Sequence, residues 1–266
     1  MKLGISTYAF LWQWSDRSPS KISLREMIRQ TKDYGGKVFQ ICDYPLIEQM
    51  DDDSLIALAA FADELNIELE LGTKGVHPSI LKRYLRIAKL LNVSMIRSMV
   101  HNHEYKPEQS QAIKWIQEVM PEFEQEGVTL ALETYEQVST DALINIVTQV
   151  NSSFLGICLD PGNTIASLEM PKDVIDKVSP YVVNLHVKDF QFIRNDGWVG
   201  FYLGGYPLGE GQLDLDYMLD SIEHKNVNVI IEMWLNFRDT YDETVRTEKE
   251  WLSKSVDVLN KKLKSL

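Results

Sequence analysis

The stretch "VVNLHVKDF", residues 182–190, reads as a buried β-strand yet carries His186, Lys188 and Asp189 in its second half. Burying such groups is costly unless each is paired, hydrogen-bonded or bound to a metal. Either the run is not a core strand, or its far end is a site.

Working outward, short apolar runs bounded by turn residues alternate with stretches of helical period along the whole chain. The expected strands are "KLGISTYAF" (2–10), "KVFQIC" (37–42), "IELELGT" (67–73), "SMIRSMV" (94–100), "VTLALET" (128–134), "FLGICLD" (154–160), the opening stretch and "VNVIIEMW" (227–234). Helical patterns start at Ser23, Asp53, Pro78, Pro107, Ser139, Pro171, Asp214 and Tyr241, several with the Ser, Asp or Pro start and the Gly or Asn stop of a capped helix. Pro121 predicts a kink or break in the fourth helix. Strict alternation without a linker predicts a single (β/α)₈ TIM barrel spanning residues 1–266 as one domain. An open doubly wound sheet is the competing arrangement, but no strand is followed by the G-x-G-x-x-G of a dinucleotide site.

Composition narrows the function. No segment is apolar for long enough to cross a membrane, and the N-terminus "MKLGISTYAF" lacks a signal-peptide pattern, so a cytoplasmic protein is expected. A net charge of −12 without any run of Lys or Arg argues against a nucleic-acid partner. Cys42 and Cys158 form no C-x-x-C pattern and read as small buried fillers.

In a barrel the catalytic groups sit where strands end at the C-terminal face. Four consecutive strands end in a metal-ligand type: Glu133 in "LALET", Asp160 in "ICLDPGN", His186 in "NLHVKD" and Glu232 in "IIEMW". The first two separations are one β/α unit each, and the third is one unit lengthened by a long loop, so all four can lie at one height. Strand parity gives Glu133 and Asp160 small inward companions, Ala131 and Thr129 for one, Cys158 and Gly156 for the other. His186 shares its face with Asn184 and Lys188, and Glu232 shares its face with Ile230 and Trp234, while Asp189 points away as a structural partner. Three carboxylates converging without a cation would repel one another, whereas a divalent ion removes the conflict. Oxygen-rich ligands with one imidazole suit Mn²⁺ or Mg²⁺ first, with Co²⁺ or Zn²⁺ as alternatives.

The ordered set "LALET", "LDPGN", "HVKD" and "IIEMW" resembles the xylose isomerase-like TIM barrels of the sugar phosphate isomerase/epimerase family, over nearly the whole chain. The resemblance implies a divalent ion held by Glu133, Asp160, His186 and Glu232. It also implies Glu133 and Glu232 as an acid/base pair that moves protons beside a metal-polarised carbonyl through an enediolate. A metal-dependent isomerase or epimerase of a small keto sugar follows as the leading expectation. The chain departs from the ketose 3-epimerases where they place a substrate-binding histidine, since "DPGN" sets Asn163 there. This version, with "HVKDF" and the loop that follows, resembles decarboxylases of branched 3-oxo sugar acids in the same family. A decarboxylase or dehydratase of a 3-oxo sugar acid on the same site is therefore the alternative.

The loop from Gln191 to Asp216 is the longest irregular segment expected, at a place where lids and specificity elements occur. Arg194 is a candidate for a substrate carboxylate or phosphate, and Gly209 and Gly211 offer backbone amides. Lys188 is placed to contact a substrate oxygen. Further rim candidates are Tyr8, Trp12, Trp14, Gln40, Asp43, Lys74, His77, His101 and His103, with Arg97 deeper in the barrel as a weak anion contact. The expected partner is a small sugar or sugar acid, and the resemblance adds homo-oligomers. Apurinic endonucleases share the barrel but need many histidine ligands, and only five histidines occur here. A non-catalytic sugar-binding barrel is the remaining alternative, although it has no use for two glutamates flanking a metal.

Overall fold

A computed structural model describes residues 1–222 and 225–265 of the chain, and in it eight parallel strands close into a barrel. They are β1 (Lys2–Ser6), β2 (Val38–Ile41), β3 (Glu68–Lys74), β4 (Met95–Met99), β5 (Thr129–Glu133), β6 (Leu155–Leu159), β7 (Val182–Val187) and β10 (Asn228–Ile231), which pairs back onto β1. Between β7 and β10 the strands β8 (Asp189–Arg194) and β9 (Phe201–Tyr206) form a separate antiparallel hairpin. The expected barrel is the observed fold.

The strands alternate in the sense that parity requires. Ile5, Phe39, Ile41, Leu69, Leu71, Ile96, Leu130, Leu132, Ile157, Leu185, Val229 and Ile231 belong to the large apolar core formed with the surrounding helices. Each such side chain, fully buried, stabilises by roughly 1.5–3 kcal/mol. A separate small core of Met95, Ala131 and Cys158 fills part of the barrel interior. A register shift between β6 and β7 sets Val183 over Gly156, where any side chain would collide with it. Above that floor the interior is polar.

The helices are α1 (Leu11–Trp14), α2 (Leu24–Asp33), α3 (Asp52–Glu64), α4 (Pro78–Leu91), α5 (Gln109–Glu126), α6 (Thr140–Val150), α7 (Pro171–Val178), α8 (Leu215–Asp220) and α9 (Tyr241–Leu263). Ser23, Asp51, Ser139, Asp214 and Thr240 cap their helices through side-chain oxygens that accept backbone N–H groups. Within the helical pattern expected from Asp214 to Asn226, Glu223 and His224 lie outside the described residues.

Three expectations need correction. The first strand ends at Ser6, and Thr7–Phe10 form a 3₁₀ turn instead of continuing it. Helix α5 is not broken into two at Pro121, which lies on its exposed side. The stretch 182–190 is not one strand. Glu232 N donates to the Val187 carbonyl at 3.1 Å beyond the last paired residues of β10, so past Val187 the chain has exhausted its barrel partner. It breaks at Lys188 and finds a new partner in β9, which turns half of the loop expected at 191–216 into a hairpin.

Candidate active site

Glu133 closes β5, Asp160 and Glu232 follow β6 and β10 directly, and His186 lies in β7. Barrel closure brings the four together, buried, with one ligand atom from each lying within 4.8 Å of the others. His186 Nδ1 faces Glu133 Oε1 at 3.2 Å, Glu232 Oε1 at 3.5 Å and Asp160 Oδ2 at 3.9 Å. Thr134 fixes the height of Asp160, since its hydroxyl accepts from Asp160 N and donates to Asp160 O, both at 2.8 Å.

Two buried cations complete the cluster. Lys188 Nζ lies 2.8 Å from Asp160 Oδ2, 3.2 Å from Glu232 Oε2 and 4.5 Å over the Trp234 ring. Arg97 pairs with Glu133 Oε2 at 2.7 Å and reaches toward Asp43 at 3.8 Å. Burial alone would raise the Glu133 carboxyl, but Arg97 and then His186 outweigh it and hold it below the usual range. Glu232 is likewise lowered against its burial, by His186, Lys188 and Arg97. Burial would lower Lys188, yet Asp160, Glu232 and Glu133 hold the ammonium firmly charged. Asp160 is the exception: burial raises it further than Lys188 lowers it.

This set fits a divalent ion. Asp160 Oδ1 is buried and finds no hydrogen-bond partner among the described residues, a costly state unless a cation meets it. Three carboxylates and one imidazole on a shared center are a donor set for a hard or borderline divalent metal, and no thiolate competes, since Cys42 and Cys158 are buried with their thiols pushed up to about 12 and about 11, chiefly by burial.

The other expected residues fall at different distances from this center. Asn163 is drawn in: its amide donates to Glu133 Oε1 at 3.1 Å and to the Thr134 carbonyl at 3.3 Å. Tyr8 is half-buried at the mouth, its phenol pushed up to about 12 by burial and then by Glu232. Trp12 walls the rim, edge-on to Phe237 at 5.2 Å, with its indole N–H donating to the Leu235 carbonyl at 2.8 Å. The His101 ring meets the Pro107 carbonyl at 3.1 Å within the loop after β4. Arg194 stands at the exposed outer end of β8, its guanidinium 4.1 Å from the Phe201 ring. The amides of Gly209 and Gly211 are not offered to a substrate, because both donate to Asp189 Oδ2, at 2.8 and 3.0 Å. Asp189 is thus the structural brace that its outward parity implied.

Sequence reasoning passed over Glu70 and undervalued Arg97. Glu70 is buried inside the barrel, where Gln40, Asn184 and Asn228 donate to it. A signal existed: in "IELELGT" both glutamates share the parity of Gly72 and oppose the leucines, which places them on the inner face.

A family model for the xylose isomerase-like TIM barrel matches residues 28–261. The chain belongs to this family. Within the xylose isomerase-like barrels, it is 45% identical over 261 residues to the 3-oxo-isoapionate decarboxylase of Pectobacterium atrosepticum, covering 97% of this chain and 95% of that one. D-psicose 3-epimerase from Clostridium cellulolyticum superposes with a TM-score of 0.76 at 15% identity, over 98% of each chain. A xylose isomerase-like barrel of Mycobacterium smegmatis, in complex with magnesium, gives 0.69 at 14% identity over 97% of each. At such identities these two establish the shared fold. No helix among the described residues is long and apolar enough to cross a membrane.

Proposed function

We propose that this protein is a single-domain, divalent-metal-dependent decarboxylase of a 3-oxo sugar acid. The observation that carries the proposal is the pairing of both glutamates with buried cations, Glu133 with Arg97 at 2.7 Å and Glu232 with Lys188 at 3.2 Å. An epimerase needs a carboxylate free to take a proton from carbon, and ion pairing makes each of these a poor base. Loss of CO₂ from a 3-oxo acid needs no base. It needs a sink for an electron pair and, afterwards, a proton donor.

A divalent ion held by Glu133, Asp160, His186 and Glu232 would supply Lewis-acid polarisation of the 3-oxo oxygen. The chain's own groups do the rest. As the bond from the carboxylate carbon to C2 breaks, its electrons pass to C2, C3 and the carbonyl oxygen, and CO₂ departs. The enolate carbon left behind is far more basic than an amine, so even the firmly charged Lys188 ammonium gives C2 one proton, and it regains one from water. Asn163, anchored on Glu133 and Thr134, and Tyr8 on the opposite rim orient the substrate hydroxyls. The kinship with a 3-oxo-isoapionate decarboxylase at 45% identity supports this reading over the isomerase or epimerase reading, which would use the same four residues.

The test is turnover of 3-oxo sugar acids by the Mn²⁺- or Mg²⁺-loaded protein in D₂O. CO₂ should appear with one deuterium at the former C2 of the product. Deuterium exchange beside the carbonyl into a product of otherwise unchanged mass, without CO₂, would mean an epimerase, and loss of water would mean a dehydratase.

A further inference from the structure

Beneath the four-residue cluster, a chain of amides ends in a carboxylate. Gln40 Oε1 lies 2.8 Å from His186 Nε2, while Gln40 Nε2 donates to Glu70 Oε2 at 3.0 Å and to Asn184 Oδ1 at 3.3 Å. Asn184 Nδ2 donates to Glu70 Oε2 at 3.2 Å, and Asn228 Nδ2 donates to Glu70 Oε1 at 2.7 Å. Gln40, Glu70, Asn184 and His186 are all at most 1% exposed, so water does not rescue a wrong orientation.

We infer that Gln40, oriented by Glu70, is a positioning residue that makes His186 carry its proton on Nε2 and present Nδ1 to the divalent ion. Glu70 is ringed by amide donors, with Asn228 and Asn184 on Oε1 and Gln40 and Asn184 on Oε2, so both its oxygens are used as acceptors. Turning the Gln40 amide over would set its oxygen against Glu70 and against Asn184 Oδ1, two acceptors, in place of two hydrogen bonds. The amide oxygen therefore faces His186, and an oxygen 2.8 Å from a ring nitrogen requires N–H there. With Nε2 committed, Nδ1 is the nitrogen left for the cluster, and it already points there, 3.2 Å from Glu133 Oε1. Metal-binding histidines depend on such outer partners, whose loss typically costs about 10–100-fold in metal affinity. This inference rests on the metal reading above and adds to it the residues that select the ligand atom.

The experiment pairs zinc affinity, measured by competition with a chromophoric chelator, with ¹⁵N spectra of the zinc-loaded protein, His186 being assigned by difference from His186→Gln. Wild type should bind zinc with the His186 proton on Nε2. Gln40→Met should lose about 10–100-fold in affinity and show a ring no longer confined to that tautomer. If wild type binds no zinc, the metal reading fails and takes this one with it. If Gln40→Met binds as tightly as wild type, only the positioning role is overturned, as it is if affinity falls while the proton stays on Nε2. Should the variant not fold, the wild-type spectrum decides alone, since a proton on Nδ1 would sink the proposal.

Discussion

The ammonium of Lys188 stands 2.8 Å from the carboxylate of Asp160, in the center of the barrel mouth and almost without exposure to solvent. A lysine so placed stays charged and cannot serve as a free amine for imine formation with a ketone. Its chemistry is that of a proton donor and a counter-charge.

Replacing it separates these roles. Lys188→Met should lower kcat on the 3-oxo acid by about 10²–10⁴-fold, the range for removal of a positioned acid. Divalent-ion affinity should hold or rise, because the ion no longer shares Asp160 and Glu232 with an ammonium. Single-turnover rates and calorimetric metal titration on the same variant check both halves; joint collapse of rate and affinity would point to a structural role instead.

Chelation should abolish turnover, and added Mn²⁺ or Mg²⁺ should restore it. An ion at a hundred times its dissociation constant stabilises the fold by about 2.7 kcal/mol, visible as a raised Tm. Asp160→Asn, which converts the unpartnered Oδ1 site to an amide, should remove most of that metal-dependent rise.

Asp189 organises the chain that leaves the barrel. Its carboxylate accepts from Phe190 N and Leu213 N, each at 2.9 Å, and from Gly209 N and Gly211 N, while a Cβ at Gly211 would come within 2.2 Å of Asp189 Oδ1. Asp189→Ala should destabilise the protein by roughly 2–4 kcal/mol in urea unfolding. The amides of Gly209, Gly211 and Leu213 should then exchange with solvent much faster, and Gly211→Ala should mimic part of the effect.

Stability should also depend on Glu248 of α9, which accepts from Trp12 N at 2.8 Å and from Gln13 Nε2 at 3.1 Å and so ties down the segment after β1. Burial pushes its carboxyl up from 4.5 to about 7. The folded state thus holds the proton more tightly than the unfolded chain does. The stabilisation is complete below about pH 4.5 and is lost as pH rises through about 7. Glu248→Gln should therefore be more stable than wild type at pH 8 by roughly 1–3 kcal/mol, with the gap closing by pH 5, in paired denaturant titrations.

Much of the site was legible before the fold was known. Glu133, Asp160, His186 and Glu232 each stand at a strand end with the same inward parity, one β/α unit apart or one lengthened unit apart, and that suffices to put them on one rim. Parity alone turns Asp189 outward, as a brace. Gly209 and Gly211 were misjudged because their amides look free until the Asp189 carboxylate is seen to take them. Arg97 reads as too deep for more than a weak anion contact and Glu70 goes unremarked, because the partners of both lie on other strands.

Local periodicity, by itself, determined the barrel and the height and facing of the four cluster residues, because a strand's two-residue repeat and the length of a β/α unit are properties of consecutive residues. Only the tertiary structure decided that Arg97 meets Glu133, that Lys188 lies between Asp160 and Glu232, and that Gln40 and Glu70 address His186 from below. The first two join neighbouring strands and the last reaches across the barrel interior, so all depend on closure and strand register, and on the need of each buried charge for an opposite charge or a ring of donors that no neighbour in sequence supplies.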